Sequence, residues 1–306
     1  MSRRIKIRLK ALGFVVKNHN PGAAAIAESI ALQALARGFE VFFPTESAGI
    51  VRVIRKRVKA FQNNIKIVNK ERMSEYVDLI IVFGGDGTFL SIARLMRNKT
   101  VPVLGVNMGQ LGFLTEVRKE EANEFIESVF RKPQVQVSER ALFEVILRRK
   151  NKTVFSGPVV NDAVISKGAI ARIIGMQIQI DGKPAYRVRA DGIILSTPTG
   201  STAYSLAAGG PILEPSLPAM VLSPICPHSL TQRPMVVPDL MEVRICLDDR
   251  PGNVLLTLDG QDVVDMKEGD VVIFRKYRRH PLLVVESPTR DFFSVLREKL
   301  KFGMRE

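Results

Sequence analysis

The chain has 306 residues, of which 46% are hydrophobic and 25% charged, a composition typical of a folded globular protein that excludes disordered, collagen-like and fibrous chains. Its length predicts one large or two medium-sized domains. Lys and Arg number 45 against 31 Asp and Glu, so the formal net charge is +14, which points to anionic partners.

The first 130 or so residues alternate short apolar runs with helical patterns, which predicts a doubly wound α/β domain. The run DLIIVF at 78–83 is almost continuously apolar, as expected of a parallel strand covered on both faces. A helix is predicted to begin at Pro21 and to end at Gly38. The other predicted elements of this half are strands at 11–17, 39–44 and 101–106 and a closing helix at 119–132.

After Pro133 the pattern changes to short β-like runs with turn signals about every ten residues, which is typical of a β-sandwich. The segments IDGK (180–183) and LDGQ (258–261) predict hairpin turns, because Asp-Gly accepts the left-handed backbone of a tight turn. The predicted β runs are 141–149, 159–165, 176–188, 191–196, 241–247, 254–263 and 270–277.

The tail, 289–301, returns to a helical pattern and is expected to pack back on the first domain. We therefore predict an α/β domain of residues 1–133 completed by the tail 288–306, and an all-β domain of residues 134–287.

The chain carries no signature of a secreted or membrane protein. Cys226 and Cys246 are its only cysteines, and neither has metal-binding or redox spacing. The basic N-terminus lacks the apolar stretch of a secretion signal, and no segment reaches the ~20 apolar residues that cross a bilayer. We expect a cytoplasmic protein without a membrane partner.

The basic residues form several separate clusters, and only 7% of residues are aromatic, with no Trp. Nucleic-acid binders usually add stacking aromatics or a recognisable basic element, and neither pattern is present. A nucleic-acid partner is therefore not expected, and most of the clusters are interpreted as solvated faces, with a minority lining an anion site. The clusters lie at 3–10, 52–59, 148–150 and 275–279.

The segment Gly84-Gly85-Asp86-Gly87-Thr88 lies directly between a predicted strand and a helical pattern. Its glycines let the backbone turn sharply and present bare N–H groups, while the helix offers its positive end to an anion. These features predict a phosphate loop with an acid at its centre, although the segment matches neither Walker A nor G-x-G-x-x-G. The alternative is a turn in which Asp86 caps a helix.

A second polar segment, residues 196–205, concentrates hydroxyl groups around Pro198 and Gly200 and is followed by small residues that permit close approach of a ligand. Hydroxyls and open backbone N–H groups suit ribose and pyrophosphate oxygens. The alternative is a Ser/Thr-rich turn at a helix start.

These segments resemble the NAD kinase family. The Gly-Gly-Asp-Gly-Thr segment is also found in lipid kinases and 6-phosphofructokinases, but further motifs follow here in the order of the NAD kinases. They are GVNMGQLGFLT (105–115), the Asn161-Asp162 pair, DGIILSTPTGSTAYSLAAGGP (191–211) and PICPHSL (224–230) with Arg233-Pro234. The resemblance runs from about residue 11 to about residue 300.

The resemblance implies transfer of the γ-phosphoryl group of ATP, or of polyphosphate, to the 2′-hydroxyl of the adenosine ribose of NAD. Asp86 would be the catalytic residue; a carboxylate is a weak base toward an alcohol, so it would orient and polarise that hydroxyl and take the proton late. Mg²⁺ or another divalent ion would enter on the ATP phosphates, because Mg²⁺ keeps its waters and takes substrate oxygens. A homodimer or homotetramer is also implied.

The resemblance further implies a set of NAD-binding residues. Asn161 and Asp162 would bind ribose and adenine groups, Phe113 would form an apolar wall for a base, and Arg189 would favour NAD over NADH. For single residues of these types, the alternatives are a strand-edge turn, a core Phe and a solvated Arg. The set is Asp86, Gly87, Phe113, Asn161, Asp162, Arg172, Arg189, Asp191, Thr199, Thr202, Ala203, Tyr204, Ser205, Leu206, Ala207 and Gln261.

Four other classes compete with this interpretation. In a lipid kinase the segment 200–211 would have no role, and a phosphofructokinase would need different motifs after its first strand. An NAD-dependent oxidoreductase is disfavoured because the sequence lacks G-x-G-x-x-G and an acid-base constellation around its three His residues. A basic regulatory protein would reveal itself by a steep salt dependence of DNA binding.

Overall fold

The computed structural model describes residues 2–96, 99–168, 173–248 and 253–301. The chain divides into two compact units: unit 1 comprises Met1–Glu139 and Leu282–Glu306, and unit 2 comprises Arg140–Pro281. The predicted domain limits at residues 133 and 287 remain a prediction.

Unit 1 contains a nine-stranded sheet with helices packed on it. Its strands are β1 (Ser2–Lys6), β2 (Ala11–Val16), β3 (Glu40–Pro44), β4 (Ile65–Val68), β5 (Leu79–Gly84), β6 (Val103–Asn107), β7 (Val117–Arg118), β8 (Gln134–Arg140) and β21 (Leu282–Val285). Its helices are α1 (Pro21–Ala36), α2 (Ala48–Arg57), α3 (Met73–Tyr76), α4 (Asp86–Ala93), α5 (Lys119–Arg131) and α7 (Phe292–Leu300).

The strand order of this sheet is β1-β8-β21-β6-β5-β2-β3-β4, with β7 paired to β6. The central strands run parallel, and the chain proceeds from β2 to β3 on one side and returns to β5 on the other. In such open sheets ligands bind beyond the carboxyl ends of the strands at the point where the order reverses. Here that point lies between β2 and β5, so residues directly after Val16 and Gly84 are placed at it.

Helices cover both faces of the sheet, which confirms the predicted doubly wound domain. Ile30, Val51 and Ile126 of α1, α2 and α5 join Phe14 in one buried cluster. Gly13 points to the opposite face, where a Cβ atom would lie 2.9 Å from the Met73 sulfur of α3. The sequence patterns did not predict β1, because its side chains are almost all exposed and it is held by backbone pairing with β8.

The C-terminal helix α7 packs on unit 1, as predicted. Its N-cap Asp291 accepts a hydrogen bond from the Ser294 N–H at 2.7 Å. The Phe292 ring lies 6.0 Å from that of Phe113, and Glu298 pairs with Arg118. The tail therefore lies next to the loop that follows β6.

Unit 2 is a β-sandwich of two six-stranded antiparallel sheets that enclose one apolar core, which confirms the predicted architecture. One sheet has the order β10-β9-β20-β17-β12-β13 and the other β16-β15-β14-β11-β18-β19. The strands are β9 (Phe143–Arg149), β10 (Lys152–Val159), β11 (Asp162–Lys167), β12 (Ile174–Ile180), β13 (Lys183–Ala190), β14 (Gly192–Ser196), β15 (Ala219–Ile225), β16 (Met235–Pro238), β17 (Val243–Leu247), β18 (Val254–Leu258), β19 (Asp262–Met266) and β20 (Val271–Lys276), and a short helix α6 spans Tyr204–Ala207.

Both predicted Asp-Gly hairpins form in unit 2. Asp181 and Gly182 join β12 to β13 with φ of 48° and 74°, and Asp259 and Gly260 join β18 to β19 with φ of 49° and 63°. Asp is among the few L residues that accept this left-handed backbone. In the described part of the chain, no helix has the length and apolar character needed to cross a bilayer.

Candidate functional site

The glycine loop, residues 84–88, connects β5 to α4 at the reversal point of the unit 1 sheet. Gly85 is the N-cap of α4 and has extended backbone, so the helix starts at Asp86. A Cβ atom at Gly84 would overlap the Thr88 side chain, whereas the Cβ positions of Gly85 and Gly87 are open. The first N–H groups of a helix lack intrahelical partners, so this open end can receive an anion.

The Asp86 carboxylate does not cap α4 but turns to the loop after β6. Its Oδ2 accepts the Phe113 N–H at 2.9 Å, and its Oδ1 accepts the Leu114 N–H at 3.1 Å and the Thr115 hydroxyl at 3.2 Å. Three donors thus hold the carboxylate in one orientation. A Cβ atom at Gly112 would overlap it, which explains the glycine there.

The loop that holds Asp86 is itself held by Asn107, the last residue of β6. The Asn107 amide donates to the Gln110 carbonyl at 2.7 Å and to the Thr115 hydroxyl at 3.0 Å. Its Oδ1 accepts the Gly109 N–H at 2.9 Å. The Thr115 hydroxyl therefore receives a hydrogen bond from Asn107 and passes one on to Asp86.

One acceptor position of the Asp86 carboxylate remains open among the described residues. Each carboxylate oxygen can accept two hydrogen bonds, and Oδ1 already accepts two while Oδ2 accepts one. The Lys299 ammonium of α7 lies 3.8 Å from the same Oδ2 and 4.8 Å from the centre of the Phe113 ring. The sequence analysis missed Lys299, because nothing in the spacing of a C-terminal helix connects it to the glycine loop.

A pocket of about 670 Å³ lies at the carboxyl ends of β2 and β3. β2 is the neighbour of β5, the strand that leads into the glycine loop. The polar lining of the pocket consists of Lys17, Asn18, His19, Asn20, Glu46 and Ser47. The pocket therefore lies on the β2 side of the reversal point, where a nucleotide can bind in an α/β sheet.

In unit 2 the predicted Asn161-Asp162 pair lies where β11 begins, against the turn at Asp259. The Asp259 carboxylate accepts the N–H groups of Val160, Asn161 and Asp162 at 2.9, 2.7 and 3.1 Å. Among the described residues none donates a hydrogen bond to the Asp162 carboxylate itself. Burial, and secondarily the negative charge of Asp259, raises the pKa of Asp162 to about 7.

The segment 196–200 contacts Val160 and Asn161, two of the residues that Asp259 holds. The Thr197 N–H donates to the Asn161 carbonyl at 2.8 Å, and the Thr197 hydroxyl donates to the Val160 carbonyl at 2.6 Å. A Cβ atom at Gly200 would overlap the Asn161 backbone. Unit 2 therefore places the turn that contains Thr199 against the backbone of Asn161.

Most hydroxyls of the segment 196–205 are used within the fold. Ser196, Thr197, Ser201 and Ser205 are buried, and each is hydrogen bonded, Ser205 to the Ser223 hydroxyl at 2.9 Å. The Ser/Thr-rich turn that was the alternative thus describes these four.

Two residues of the same stretch remain open to a ligand. The Thr199 hydroxyl is buried without a hydrogen-bond partner among the described residues, and Tyr204 is 48% exposed. Thr202 is half-buried, and its hydroxyl donates to the Thr199 carbonyl at 3.3 Å. A buried hydroxyl without a partner is destabilising, so it marks a position where water or a ligand would be bound.

The remaining predicted NAD-binding residues are scattered over unit 2. Asp191 stands before β14, at the opposite end of that strand from Ser196, and pairs with Lys167 at 2.7 Å. Arg189 is exposed on β13, and Gln261 is exposed in the hairpin turn after Asp259. Ala203, Leu206 and Ala207 lie in or next to α6. Arg172 lies outside the described residues.

No protein metal site is evident in the part of the chain that the structure describes. There, no group of three or more His, Cys, Asp or Glu side chains is close enough together to hold an ion.

Comparison with known proteins gives consistent results for both units. The family model of the ATP-NAD kinase N-terminal domain matches residues 12–134, and that of the ATP-NAD kinase C-terminal domain matches residues 160–286. The NAD kinase of Geotalea daltonii is 41% identical over 297 residues, which cover 97% of this chain and 100% of that protein. The NAD kinase of Aquifex aeolicus is 41% identical over 267 residues, which cover 87% and 96%.

A solved structure, that of yeast NADH kinase complexed with NADH, is similar with a TM-score of 0.86 and 27% sequence identity. The match covers 97% of this chain and 89% of the yeast chain.

Proposed function

The chain belongs to the NAD kinase family, and we propose that it transfers the γ-phosphoryl group of ATP to the 2′-hydroxyl of the adenosine ribose of NAD, giving NADP and ADP. The observation that carries this proposal is the Asp86 carboxylate, which three donors hold in place and which keeps one acceptor position on Oδ2. An alcohol that donates to Oδ2 would have its oxygen oriented for attack on phosphorus.

Phosphoryl transfer depends mainly on positioning and on neutralisation of charge. In the proposed reaction the hydroxyl hydrogen lies on Oδ2 of Asp86 while the oxygen approaches the γ-phosphorus. As the new O–P bond forms and the bond to the β-phosphate oxygen breaks, the proton passes to Oδ2 and ADP leaves with the electron pair. Lys299, 3.8 Å from Oδ2, would offset part of the negative charge of the phosphoryl group where it meets the alcohol oxygen.

We propose that ATP binds as its complex with Mg²⁺ or another divalent ion. The pocket of about 670 Å³ at the ends of β2 and β3 would receive the nucleoside, and the open N–H groups of the glycine loop would receive phosphate oxygens. The pocket lining carries one cation, Lys17, and one anion, Glu46, so their charges offset each other and suit a neutral nucleoside better than phosphates. The metal would supply Lewis-acid neutralisation of the phosphates. Polyphosphate as an alternative donor stays part of the proposal.

NAD would be bound by the residues that the family resemblance assigns, among them Asn161, Asp162 and Thr199 of unit 2. The unpartnered Thr199 hydroxyl and the Asp162 carboxylate, which receives no hydrogen bond from a described residue, support this assignment, since both would gain hydrogen bonds from a polar ligand. Preference for NAD over NADH, through Arg189, belongs to the same proposal.

We also propose a cytoplasmic homodimer or homotetramer. The edge strand β16 exposes Met235 and Val236, and Leu240 after it is 71% exposed, which supports burial of this edge by a second copy.

The direct test is incubation of the purified chain with ATP, Mg²⁺ and NAD, with NADP scored by a coupled dehydrogenase. Parallel reactions with NADH as acceptor and with polyphosphate as donor separate the finer alternatives. Formation of NADP is expected, and the absence of NADP with every donor would contradict the proposal.

The substitution Asp86→Asn should reduce kcat on the order of 100-fold, because the amide loses the oxygen that accepts the proton. The matched control is Asp78→Asn, since the Asp78 carboxylate also accepts two backbone N–H groups in unit 1, those of Lys10 and Ala11 at 2.9 and 3.0 Å. Both variants are first compared with the wild type by thermal unfolding. Full turnover of a folded Asp86→Asn variant would assign Asp86 a structural role.

A further inference from the structure

We infer that Asp259 is a positioning residue for NAD binding: its carboxylate holds the backbone of residues 160–162 so that Asn161 and Asp162 present their side chains to the dinucleotide. This inference rests on the proposed function. Asp259 has no place among the residues that the family resemblance assigns, although its neighbour Gln261 does.

The geometry is that of a clamp on a segment that has no strand partner. Residues 160 and 161 fall between β10, which ends at Val159, and β11, which begins at Asp162. The Asp259 carboxylate takes the three successive N–H groups of residues 160–162 at 2.7 to 3.1 Å, and the Asp259 N–H donates back to the Asp162 carbonyl at 2.9 Å. Hydrogen bonds to an ionised acceptor are the strong ones, and Asp259 is 94% buried, being only 6% exposed.

Strand pairing delivers Asp259 to this position. β18 pairs with β11 with Leu258 opposite Ala163, so the residue after β18 arrives beside the start of β11. The left-handed conformation of Asp259, with φ of 49°, turns the chain there into the hairpin with β19. The hairpin turn and the clamp are therefore made by one residue.

The charge of Asp259 also acts on Asp162. Among the described residues, the other charged groups on elements around β11 are Asp262 and Asp265 of β19 and the pair Asp191 and Lys167 at the far end of β11. Burial and then the charge of Asp259 raise the pKa of Asp162. Removing the charge of Asp259 should therefore lower the pKa of Asp162. Loss of a residue that only held the backbone would not change that pKa.

The test compares Asp259→Asn with Asp181→Asn. Asp181 occupies the equivalent Asp-Gly hairpin with φ of 48°, and its carboxylate also accepts a backbone N–H, that of Glu242 at 2.8 Å. Asn accepts the left-handed backbone, so both turns are preserved. Thermal unfolding of both variants provides the comparison of folding.

In Asp259→Asn one acceptor oxygen becomes an amide, so one of the three N–H groups loses its partner. We expect KM for NAD to rise about tenfold, the size of one hydrogen bond to a charged group, with KM for ATP unchanged. Asp181→Asn should leave both constants unchanged. Equal KM for NAD in wild type and Asp259→Asn would overturn the inference, whereas a wild type that makes no NADP would overturn the proposed function instead.

The pH dependence gives a second readout. In the wild type, kcat/KM for NAD should rise as pH increases through about 7, when Asp162 ionises and can accept hydrogen bonds. In Asp259→Asn this rise should move to lower pH. A rise at unchanged pH in that variant would contradict the coupling.

If Asp259→Asn does not fold, Asp162→Asn decides the question with Asp259 intact. The rise near pH 7 should disappear in that variant, because the coupled carboxyl group is gone. If the rise near pH 7 persisted in Asp162→Asn, the ionisation of Asp162 beside Asp259 would have no part in NAD binding, and the inference would be overturned.

Discussion

At the residue scale, three aspartates, Asp86 in unit 1 and Asp162 and Asp259 in unit 2, differ in what surrounds their carboxylates. Asp86 receives three hydrogen bonds and keeps one open acceptor position. The Asp259 carboxylate accepts three backbone N–H groups and so holds the backbone of residues 160–162. Asp162 is buried, receives no hydrogen bond from a described residue and has a raised pKa. The surroundings of an aspartate therefore decide which proposed role it suits: polarising a hydroxyl, positioning a backbone segment or carrying a proton.

The raised pKa of Asp162 makes it a cost to stability at neutral pH. The unfolded carboxyl ionises near pH 4 and the folded one near pH 7. Between these values the folded protein retains a proton that the unfolded chain has lost, so this group's contribution to stability falls as pH rises from about 4 to about 7.

Asp162→Asn should therefore raise the midpoint of thermal unfolding at pH 8 and change it little at pH 4.5. Differential scanning fluorimetry at the two pH values checks this, with Asp181→Asn as a turn aspartate for comparison. A stability difference of the same size at both pH values would contradict the assignment of this proton to Asp162.

At the element scale, chain ends and strand ends bring the site residues together. The loop after β6 holds Asp86 of α4, and α7, from the far end of the chain, brings Lys299 to the same carboxylate. Packing of Phe292 against Phe113 and the pairing of Glu298 with Arg118 place the helix. The tail is thus part of the candidate site rather than only a cover for the sheet.

Removing the Lys299 charge should lower kcat, since the γ-phosphoryl group would meet the alcohol oxygen beside this ammonium and its negative charge would be less well compensated. For a half-exposed pair we expect a loss of about fivefold in Lys299→Met, with recovery in Lys299→Arg. Steady-state kinetics of Arg297→Met, an exposed cation on the same helix, provide the control. An equal loss in both Met variants would point to the helix rather than to the ammonium group.

At the scale of the whole molecule, the net charge of +14 is spread over surfaces in which many cations are paired. Arg275 pairs with Glu144 at 2.9 Å, Arg149 with Asp270 at 2.8 Å and Arg57 with Glu28 at 2.8 Å. The groups that meet the proposed substrates are mostly hydroxyls, amides, carboxylates and glycine N–H groups. The positive field would therefore attract phosphate-bearing substrates from a distance without forming the site.

Attraction of anionic substrates by the net positive charge is weakened by dissolved salt, which screens charges. Raising KCl from roughly 0.05 to 0.5 M should increase KM for ATP and NAD by about threefold with little change in kcat. Initial rates at several salt concentrations, with KCl and potassium acetate compared, measure this. A constant KM would show that the surplus charge has no role in substrate capture.

Much of the fold follows from local patterns. The parallel strands of unit 1 are nearly continuous apolar runs, and the two Asp-Gly hairpins have the residues that left-handed turns require. The edge strand β1 was not predicted, because it has no apolar face and is held by backbone pairing with β8. Hydroxyls such as Ser201 and Ser205 could be counted from the sequence, but only their neighbours show that they are already bonded.

The sequence by itself determined the two architectures and the family and made Asp86 the candidate reacting group, because glycine spacing, apolar period and motif order are local properties of the chain. Tertiary structure alone decided which oxygen of Asp86 is open, that Lys299 accompanies it and that Asp259 holds the Asn161-Asp162 pair. Each of these depends on hydrogen bonds or charges between residues far apart in the chain, and no spacing rule encodes such contacts. They exist only once strand pairing and helix packing have placed the partners within reach.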